Sequence, residues 1–269
     1  MILIDVLQER FPDSSKTKLR TMLKSDRVRV NGAPERDAKR EIGPEDRVEV
    51  AGHASRLDPR IRIVYEDADL IVIDKSANLL SVPTEEVKYE NAEALLNEYA
   101  PVQHVHRLDR DTSGLLVFAK NAFVRGKLQE LFAAHDIDRV YVAIVFGKLK
   151  ESSGTFRSHL AEDRELRVRS VADESSGKEA ITHYRTTASG KRYSILEVTL
   201  ETGRRNQIRV HLAEAGHPIL GDTMYGRGFD QELRRLALHA RDLGFVHPRS
   251  GKKMAFTSEV PKAFRELKL

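Results

Sequence analysis

The chain has 269 residues, of which 40% are hydrophobic and 32% charged, and this length suffices for one large domain or for a small domain followed by a larger one. Its 45 basic residues leave a net charge of only +4, so a basic patch must be local if it is to bind a polyanion. The absence of cysteine excludes disulfides, thiolate catalysis and cysteine-ligated zinc. No apolar run approaches the roughly 20 residues of a membrane-spanning helix, and the first residues lack the features of a signal peptide, so we expect a cytoplasmic protein without a membrane partner.

Residues 1–50 are predicted to form a small module that begins with two helices. The first helix ends before Pro12, and Ser14 or Ser15 can cap the second. On the second helix, basic side chains recur at intervals of four, four and three residues, which aligns Lys16, Arg20, Lys24 and Arg27 on one face. Aligned like charges cost stability unless an anion binds them. From the residues alone, a solvated helix face is the simpler explanation of the pattern, and an anion-binding face is the alternative.

Residues 51–60 are small and polar and predict a linker to a second domain at 61–269. That domain opens with a predicted hairpin, and β-branched or alternating runs predict further strands at residues 139–147, 181–186 and 193–199. One amphipathic helix is predicted at residues 123–135. Strands therefore outnumber helices in the second domain.

The segment from residue 104 to residue 120 has a strongly polar first half, a turn of small residues and then an apolar run. A polar turn backed by a buried strand is one way in which a scaffold presents a reactive group. If the chain is extended around Leu108, Arg107 and Asp109 point to the same side, and the guanidinium favours an ionised carboxylate. A purely structural loop with a surface Arg–Asp pair explains the same residues equally well.

Two later segments also carry polar residues at defined positions. Tyr141 is the only polar side chain between the ends of its predicted strand, where a core tyrosine with a bonded hydroxyl is the simpler interpretation. Asn206 can cap a helix whose residues Ile208 and Leu212 face the core, and Gly216 can end that helix.

These segments together resemble the RluA-type pseudouridine synthases, which isomerise uridine in ribosomal and transfer RNA. Residues 106–116 resemble the central signature of the family, 139–147 its second motif and 201–213 its third. The third motif usually has Thr-His where this chain has Arg205-Asn206, and the first motif, near residues 63–83, usually has Pro-Ala-Gly where this chain has Ser76-Ala77-Asn78. The resemblance implies an α+β catalytic domain with a mixed, largely antiparallel sheet.

The first 50 residues resemble the small α-L RNA-binding domain first seen in ribosomal protein S-four, which often precedes the catalytic domain of such synthases. In that domain the basic second helix and the following strand bind RNA phosphates, which provide affinity rather than sequence choice. The resemblance implies RNA-binding roles for Lys16, Lys18, Arg20, Lys24, Arg27 and Arg29.

The family resemblance also implies roles in the catalytic domain. Asp109 is the catalytic carboxylate, Arg209 holds it ionised, and Tyr141 lies against the target base and could move its C5 proton. Arg107 fills the gap that the flipped base leaves in the RNA stack. The other implied substrate-binding residues are His106, Thr112, Arg204 and Gln207. Whether Asp109 attacks the sugar or adds to the base stays open.

Pseudouridine formation neither oxidises nor hydrolyses its substrate, so we expect no cofactor. We expect a monomer that binds structured RNA, with large-subunit ribosomal RNA favoured and transfer RNA as the alternative. Two other functions remain as rivals. A metal-dependent hydrolase would use His104, His106 and Asp109 as part of a ligand set, although the chain has no helical two-histidine pair. A catalytically silent RNA-binding protein would use only the N-terminal module.

Overall fold

The computed structural model describes residues 1–12, 14, 16–24, 28–50, 57–163, 165, 167–226 and 233–267, except for the side chains at positions 17, 18, 21 and 24. The chain divides into two units. The first comprises Met1–Asp58 with Leu96–Pro101, and the second comprises Pro59–Leu95 with Val102–Leu269. The predicted domain boundaries stay a prediction, and most of the predicted linker, residues 51–56, lies outside the described residues. None of the described helices has the length and apolar character needed to cross a membrane.

The first unit packs two helices on a small antiparallel sheet. Its elements are α1 (Leu3–Arg10), α2 (Lys16–Lys24), β1 (Val28–Val30), β2 (Ala33–Pro34) and β3 (Val48–Val50), and the strand order is β2-β1-β3. Asn31 and Gly32 connect β1 to β2 with φ angles of 55° and 80°, as an Asn-Gly hairpin turn requires. Buried side chains of both helices and of β1 form one core, so the two predicted helices are confirmed. The identity of this unit as an α-L domain stays a prediction.

From residue 59 onward, strands dominate. The strands are β4 (Ile61–Glu66), β5 (Leu70–Lys75), β6 (Gln103–His104), β7 (Ser113–Ala119), β8 (Asp138–Phe146), β9 (Ser153–Glu162), β10 (Val168–Val171), β11 (Lys178–Ser189), β12 (Tyr193–Leu200), β13 (Leu238–Val246) and β14 (Lys253–Thr257). The α-helices are α3 (Ala92–Tyr99), α4 (Ala122–Ala133), α5 (Gln207–Glu214) and α6 (Lys262–Arg265).

The strands form one 11-stranded sheet. Its order is β10-β9-β11-β12-β8-β13-β7-β5-β4, with β14 paired to β13 and β6 paired to β7. Strands β13 and β7 pair in parallel, and the other pairs are antiparallel. The predicted α+β fold with a mixed, largely antiparallel sheet is therefore confirmed.

Strand β13 lies between β7 and β8 and aligns the segments that carry the predicted site. Ala240 pairs with Gly114 on one side and with Tyr141 on the other, so the three residues form a row across the sheet. Gly114 has a φ of +115°, and a Cβ there would lie 2.2 Å from the carbonyl oxygen of Ala240. Only glycine permits this close approach. The row places the start of β7 and Tyr141 at the same level of the sheet, on either side of β13.

Candidate active site

Four segments of the second unit enclose a cavity of about 190 Å³ beside the N-terminal end of β7. They are the turn before β7, the first half of β8, the segment that leads into α5, and the first residue of β13. The lining residues are His106, Arg107, Leu108, Asp109, Thr112, Arg139, Tyr141, Leu200, Gly203, Arg204, Gln207, Ile208 and Leu238. With the exception of Arg209, every residue predicted for the catalytic domain's site lines this cavity.

The turn that carries Asp109 is held by hydrogen bonds on both sides. The Thr112 N–H donates to the carbonyl oxygen of Asp109 at 3.2 Å. The buried Ser81 hydroxyl donates to the Leu108 carbonyl oxygen at 2.7 Å and accepts from the Leu108 N–H at 3.0 Å. Leu108 is buried while Arg107 is exposed and Asp109 keeps part of its surface open to the cavity, as the predicted alternation requires. These hydrogen bonds therefore hold the backbone of the turn that carries Asp109.

Opposing effects act on the Asp109 carboxylate. Burial raises its pKa above the ordinary value, and the positive charges of Arg209 and Arg107 counteract part of that shift. The backbone N–H of Asn206 is directed at the carboxylate and also favours its ionised form. No side chain in the described part of the chain donates a hydrogen bond to Asp109, so the carboxylate can still accept hydrogen bonds beyond that of the Asn206 N–H.

Arg209 is buried behind the cavity. Its Nε and Nη2 donate to the two carboxylate oxygens of Asp222, each at 2.8 Å, and its guanidinium stacks on the Tyr225 ring at 5.1 Å. Burial alone would lower the pKa of Arg209, but the hydrogen bonds and charge of Asp222 raise it overall, so Arg209 stays charged. Among the described residues, the carboxylate bonded to Arg209 is that of Asp222, and Arg209 acts on Asp109 through its charge.

The pair Arg205-Asn206, which departs from the usual motif, has two separate roles. Arg205 pairs with Glu162 at the surface. Asn206 precedes α5 with a φ of 53°, and its side chain makes no capping bond to the helix, so the predicted cap is wrong. Its Oδ1 instead accepts from Arg209 Nη1 at 3.0 Å, and its Nδ2 donates to the Tyr225 hydroxyl at 3.1 Å. Asn206 therefore orients the buried arginine.

Tyr141 is buried on β8 and lines the cavity. Burial raises the pKa of the Tyr141 hydroxyl above its ordinary value. The charge of Arg139 lowers this pKa and the charge of Asp109 raises it, but burial has the largest effect. The hydroxyl is therefore protonated at neutral pH. The part of the chain that the structure describes provides no hydrogen-bond partner for this hydroxyl. Its surroundings therefore differ from those of a core tyrosine with a bonded hydroxyl.

Three further residues of the central motif line the cavity, and they differ in burial and in hydrogen bonding: His106, Thr112 and Arg107. His106 Nε2 accepts from the Val117 N–H at 3.2 Å, and its ring stacks on Phe132 at 4.3 Å. Burial, followed by the charge of Arg139, lowers the pKa of His106 to about 3, so this histidine is neutral and fixes the turn to β7. The Thr112 hydroxyl is buried and has no partner among the described residues. Arg107 is exposed, and its guanidinium makes no hydrogen bond in the described part of the chain.

Gln207 and Arg204 support the cavity wall. The Gln207 Nε2 donates to the Ile181 carbonyl oxygen and to the Thr182 hydroxyl, each at 2.9 Å. Its Oε1 accepts from the Thr202 hydroxyl at 2.7 Å and from the Arg204 N–H at 3.0 Å. The amide of Gln207 is thus occupied inside the fold. Arg204 is exposed, and its Nε donates to a backbone carbonyl at 2.9 Å.

The residues predicted to bind RNA belong to the first unit and are described in part. Lys16 and Arg20 are exposed on α2, and Arg29 is exposed on β1, where its Nη1 donates to the Gly32 carbonyl oxygen at 3.2 Å. Arg27 and the side chains of Lys18 and Lys24 lie outside the described residues.

Lys75 was not identified from the sequence. This fully buried ammonium donates to the carbonyl oxygens of Ser76, Leu79 and Arg110 at 2.9, 2.7 and 3.2 Å. Burial lowers its pKa to about 7, although Asp109 and other carboxylates act in the opposite direction. Its bond to Arg110 holds the turn that follows Asp109. The one sequence signal was its position at the end of the apolar run of β5.

The residues required for a metal-dependent hydrolase do not come together in the described part of the chain, where no group of three His, Cys, Asp or Glu side chains could hold a metal ion. His104 Nδ1 bonds to Glu93 at 2.9 Å, and His106 faces β7.

Comparisons with known proteins agree with this arrangement. Residues 69–214 match the family model described as RNA pseudouridylate synthase, and this range contains Asp109, Tyr141 and Arg209. The chain is 37% identical to the uncharacterized RNA pseudouridine synthase YhcT of Bacillus subtilis, over 76% of this chain and 70% of that protein. It is 35% identical to ribosomal large subunit pseudouridine synthase D of Xanthomonas campestris, over 97% of this chain and 86% of that protein.

Solved structures show the same fold. The structure of human RNA pseudouridylate synthase domain containing 4 matches with a TM-score of 0.61 and 25% identity, over 76% of this chain and 90% of that one. Human RNA pseudouridylate synthase domain containing 1 matches with a TM-score of 0.62. The motifs, the fold and the relatives agree, and the chain belongs to the RluA-type RNA pseudouridine synthases, isomerases that convert uridine to pseudouridine in RNA.

Proposed function

We propose that Asp109 is the catalytic carboxylate of this synthase and that the substrate is large-subunit ribosomal RNA. One observation carries the first assignment. Among the described residues that line the cavity, Asp109 is the only carboxylate, and its oxygen atoms have no side-chain hydrogen-bond partner.

The reaction requires an anionic group near the sugar. When the N1–C1′ bond breaks, C1′ becomes electron-deficient, and a carboxylate can stabilise it through charge or through a covalent bond. An isolated buried aspartate would take up a proton instead. Arg209, Arg107 and the Asn206 N–H favour the ionised form, so Asp109 can act as a carboxylate inside the cavity. In this proposal Tyr141, which lines the cavity, contacts the base. Arg107, whose guanidinium makes no hydrogen bond in the described part of the chain, replaces the flipped base in the RNA stack.

Two observations support the proposed substrate. Relatives aligned over nearly the whole chain, from Xanthomonas campestris and Haemophilus influenzae, are named ribosomal large subunit pseudouridine synthase D. The first unit also exposes Lys16, Arg20 and Arg29, which can contact RNA phosphates. Transfer RNA is the second candidate, since the cavity itself would accept a flipped uridine from either RNA.

Mapping of pseudouridine with a carbodiimide reagent in cellular RNA tests both assignments. Cells without the gene receive the wild-type gene, Asp109→Asn or the matched control Asp111→Asn. Asp111 belongs to the same turn but pairs with Arg110 and does not line the cavity. We expect sites in large-subunit ribosomal RNA to disappear without the gene and to return with the wild type and with Asp111→Asn only. Restoration by Asp109→Asn would remove Asp109 from the mechanism, and sites confined to transfer RNA would exclude the ribosomal substrate.

A further inference from the structure

Arg139 is a cationic residue that lines the cavity and to which the motifs assign no role. It lies two residues before Tyr141 on β8, so both side chains project from the same face of the strand. Both line the cavity. The Arg139 guanidinium lies over the Phe132 ring at 5.4 Å, and this ring also stacks on His106. The position of the guanidinium is therefore fixed by packing.

The hydrogen-bonding capacity of Arg139 is almost unused. A guanidinium has five N–H donors, and buried donors are normally paired. In the described part of the chain, Nη2 makes one long bond of 3.5 Å to the Leu200 carbonyl oxygen, and the buried Nε has no partner. None of the described carboxylates forms an ion pair with Arg139. The cation thus faces the cavity with free donors.

Arg139 and Asp109 place opposite charges in the same cavity. The positive charges that act most strongly on Asp109 are those of Arg209, Arg107 and Arg205. Tyr141 lies within electrostatic reach of both Arg139 and Asp109. A nucleotide whose sugar lies at Asp109 and whose base lies against Tyr141 therefore meets a cation at its base.

We infer that Arg139 donates a hydrogen bond to a carbonyl oxygen of the target uracil and stabilises the negative charge of the detached base. This inference rests on the proposed assignment of Asp109 to the sugar. When the N1–C1′ bond breaks, its electron pair stays on the base and delocalises onto O2 and O4. C5 then supplies the electron pair of the new bond to C1′, the C5 proton passes to water, and N1 takes up a proton from water, so that an N1–H bond replaces the C5–H bond. Arg139 is unchanged by the cycle.

The surroundings of Arg139 suit this role. His106 is neutral, so it does not compete for the negative charge. Fixed donors in a site shielded from water stabilise developing charge more strongly than they would in water. Gly203 has no side chain beside the guanidinium, and a Cβ at that position would lie 3.0 Å from Arg139 Nη1. The Arg139 guanidinium therefore has space beside it to donate a hydrogen bond to a carbonyl oxygen of the base.

Single-turnover kinetics with the full chain test the inference. The probe is an unmodified transcript of large-subunit ribosomal RNA with tritium at uridine C5, and release of tritium to water reports the reaction. We expect Arg139→Gln to slow turnover by about 100-fold, the effect of removing one donor to a developing anion. Arg139→Lys should retain part of the rate. The matched control Arg185→Gln changes an exposed arginine on β11 that pairs with Glu197, and it should react at the wild-type rate.

Measurements of RNA binding distinguish whether Arg139 contacts the target base or an RNA phosphate. If Arg139 contacts the base, the Kd of Arg139→Gln and the slope of log K against log salt should match the wild type. A phosphate contact would weaken binding and reduce the slope by about 0.7, which would overturn the inference. A wild-type rate for Arg139→Gln together with an inactive Asp109→Asn would also overturn it and leave the proposed active site intact. An active Asp109→Asn would instead overturn the proposed active site.

Gly203→Ala is a second variant, useful if Arg139→Gln does not fold. The added methyl carbon would lie 3.0 Å from Arg139 Nη1, so the guanidinium must shift slightly while it keeps its charge. We expect slower turnover with unchanged RNA affinity, and a wild-type rate in this variant would contradict a requirement for the position of Arg139.

Discussion

Arg209 and Asp222 form a buried ion pair with two parallel hydrogen bonds, and this pair stabilises the wall behind Asp109. Both side chains are almost completely shielded from solvent, and Asn206 accepts a further bond from the same guanidinium. Because the Arg209 charge reaches Asp109 while its hydrogen bonds go to Asp222, the arginine can favour the ionised form of Asp109 without occupying its oxygen atoms. The carboxylate is thereby left free for the substrate.

Asp222→Asn should destabilise the protein substantially. Loss of the carboxylate leaves the Arg209 charge buried without a charged partner, which typically costs about 3 kcal/mol of unfolding free energy. Urea denaturation measures the change. The matched control is Glu179→Gln, which breaks the exposed pair with Arg157 and should cost less than about 1 kcal/mol. Equal effects of the two variants would show that the Arg209–Asp222 pair does not stabilise the fold.

The acid limb of the pH–rate profile should depend on Arg107. Burial raises the pKa of Asp109, and activity falls when the pH drops through that raised pKa, because the carboxylate becomes protonated. The Arg107 charge lowers the pKa of Asp109, so Arg107→Gln should move the acid limb to higher pH. Single-turnover rates at saturating RNA across the acidic range measure the shift. Arg110→Gln, in the same turn but outside the cavity, should leave the limb in place. A limb that does not move in Arg107→Gln would contradict the electrostatic contact.

Because of Lys75, the free energy of unfolding should change with pH between about 7 and 10.5. Burial lowers its pKa in the folded protein from 10.5 to about 7. Between these values the unfolded chain binds a proton that the folded chain does not, so the free energy of unfolding should rise with pH, by about 1.4 kcal/mol per unit at most. This contribution is lost as the pH falls toward 7. Guanidinium denaturation at several pH values measures the slope, which Lys75→Met should remove and the exposed Lys127→Met should retain. The same slope in Lys75→Met and wild type would contradict the lowered pKa.

Neutralising α2 should reduce the salt dependence of RNA binding. If Lys16 and Arg20 each contact a phosphate, the double variant Lys16→Gln, Arg20→Gln should lower the slope of log K against log salt by roughly 1.4 to 1.8. The single-turnover rate with saturating RNA should not change. The control variant Lys127→Gln, Lys262→Gln removes two exposed lysines from α4 and α6. If the α2 variant has the wild-type slope, or a slope no lower than that of the control, the basic face of α2 is a solvated face and does not contact RNA.

The sequence predicted the elements with strong local patterns. The hairpin of β4 and β5, helix α4 and strands β7, β8, β11 and β12 follow apolar periodicity. Strands β9 and β10 were not predicted, because Leu160 is the one buried residue of β9 and the polar residues of β9 outnumber its apolar ones. The position of β13 between β7 and β8 depends on pairing between residues far apart in the chain, which local patterns do not determine.

The site was predictable only where a motif identified it. Asp109, Tyr141 and Arg107 came from the family resemblance. The residues alone left a structural loop equally acceptable for Arg107 and Asp109, and they favoured a core tyrosine at Tyr141. Lys75 and Arg139 were missed because a charged residue at the end of an apolar strand usually marks the exposed end of that strand. The burial of Lys75 depends on carbonyl groups that only the folded chain brings together. Motif residue Gln207 turned out to be occupied inside the fold.

The central position of β13 also determines when the site can form during synthesis. Chains leave the ribosome from their N-terminus, and both Asp109 and Tyr141 emerge long before residues 238–246. Until β13 arrives, the strands on the Asp109 side, β4, β5 and β7, have no neighbour that connects them to β8. We therefore expect a nascent chain to carry two half-sheets that are not yet joined. We also expect a truncated product without β13 to lack activity, even though it contains all the motif residues of the site.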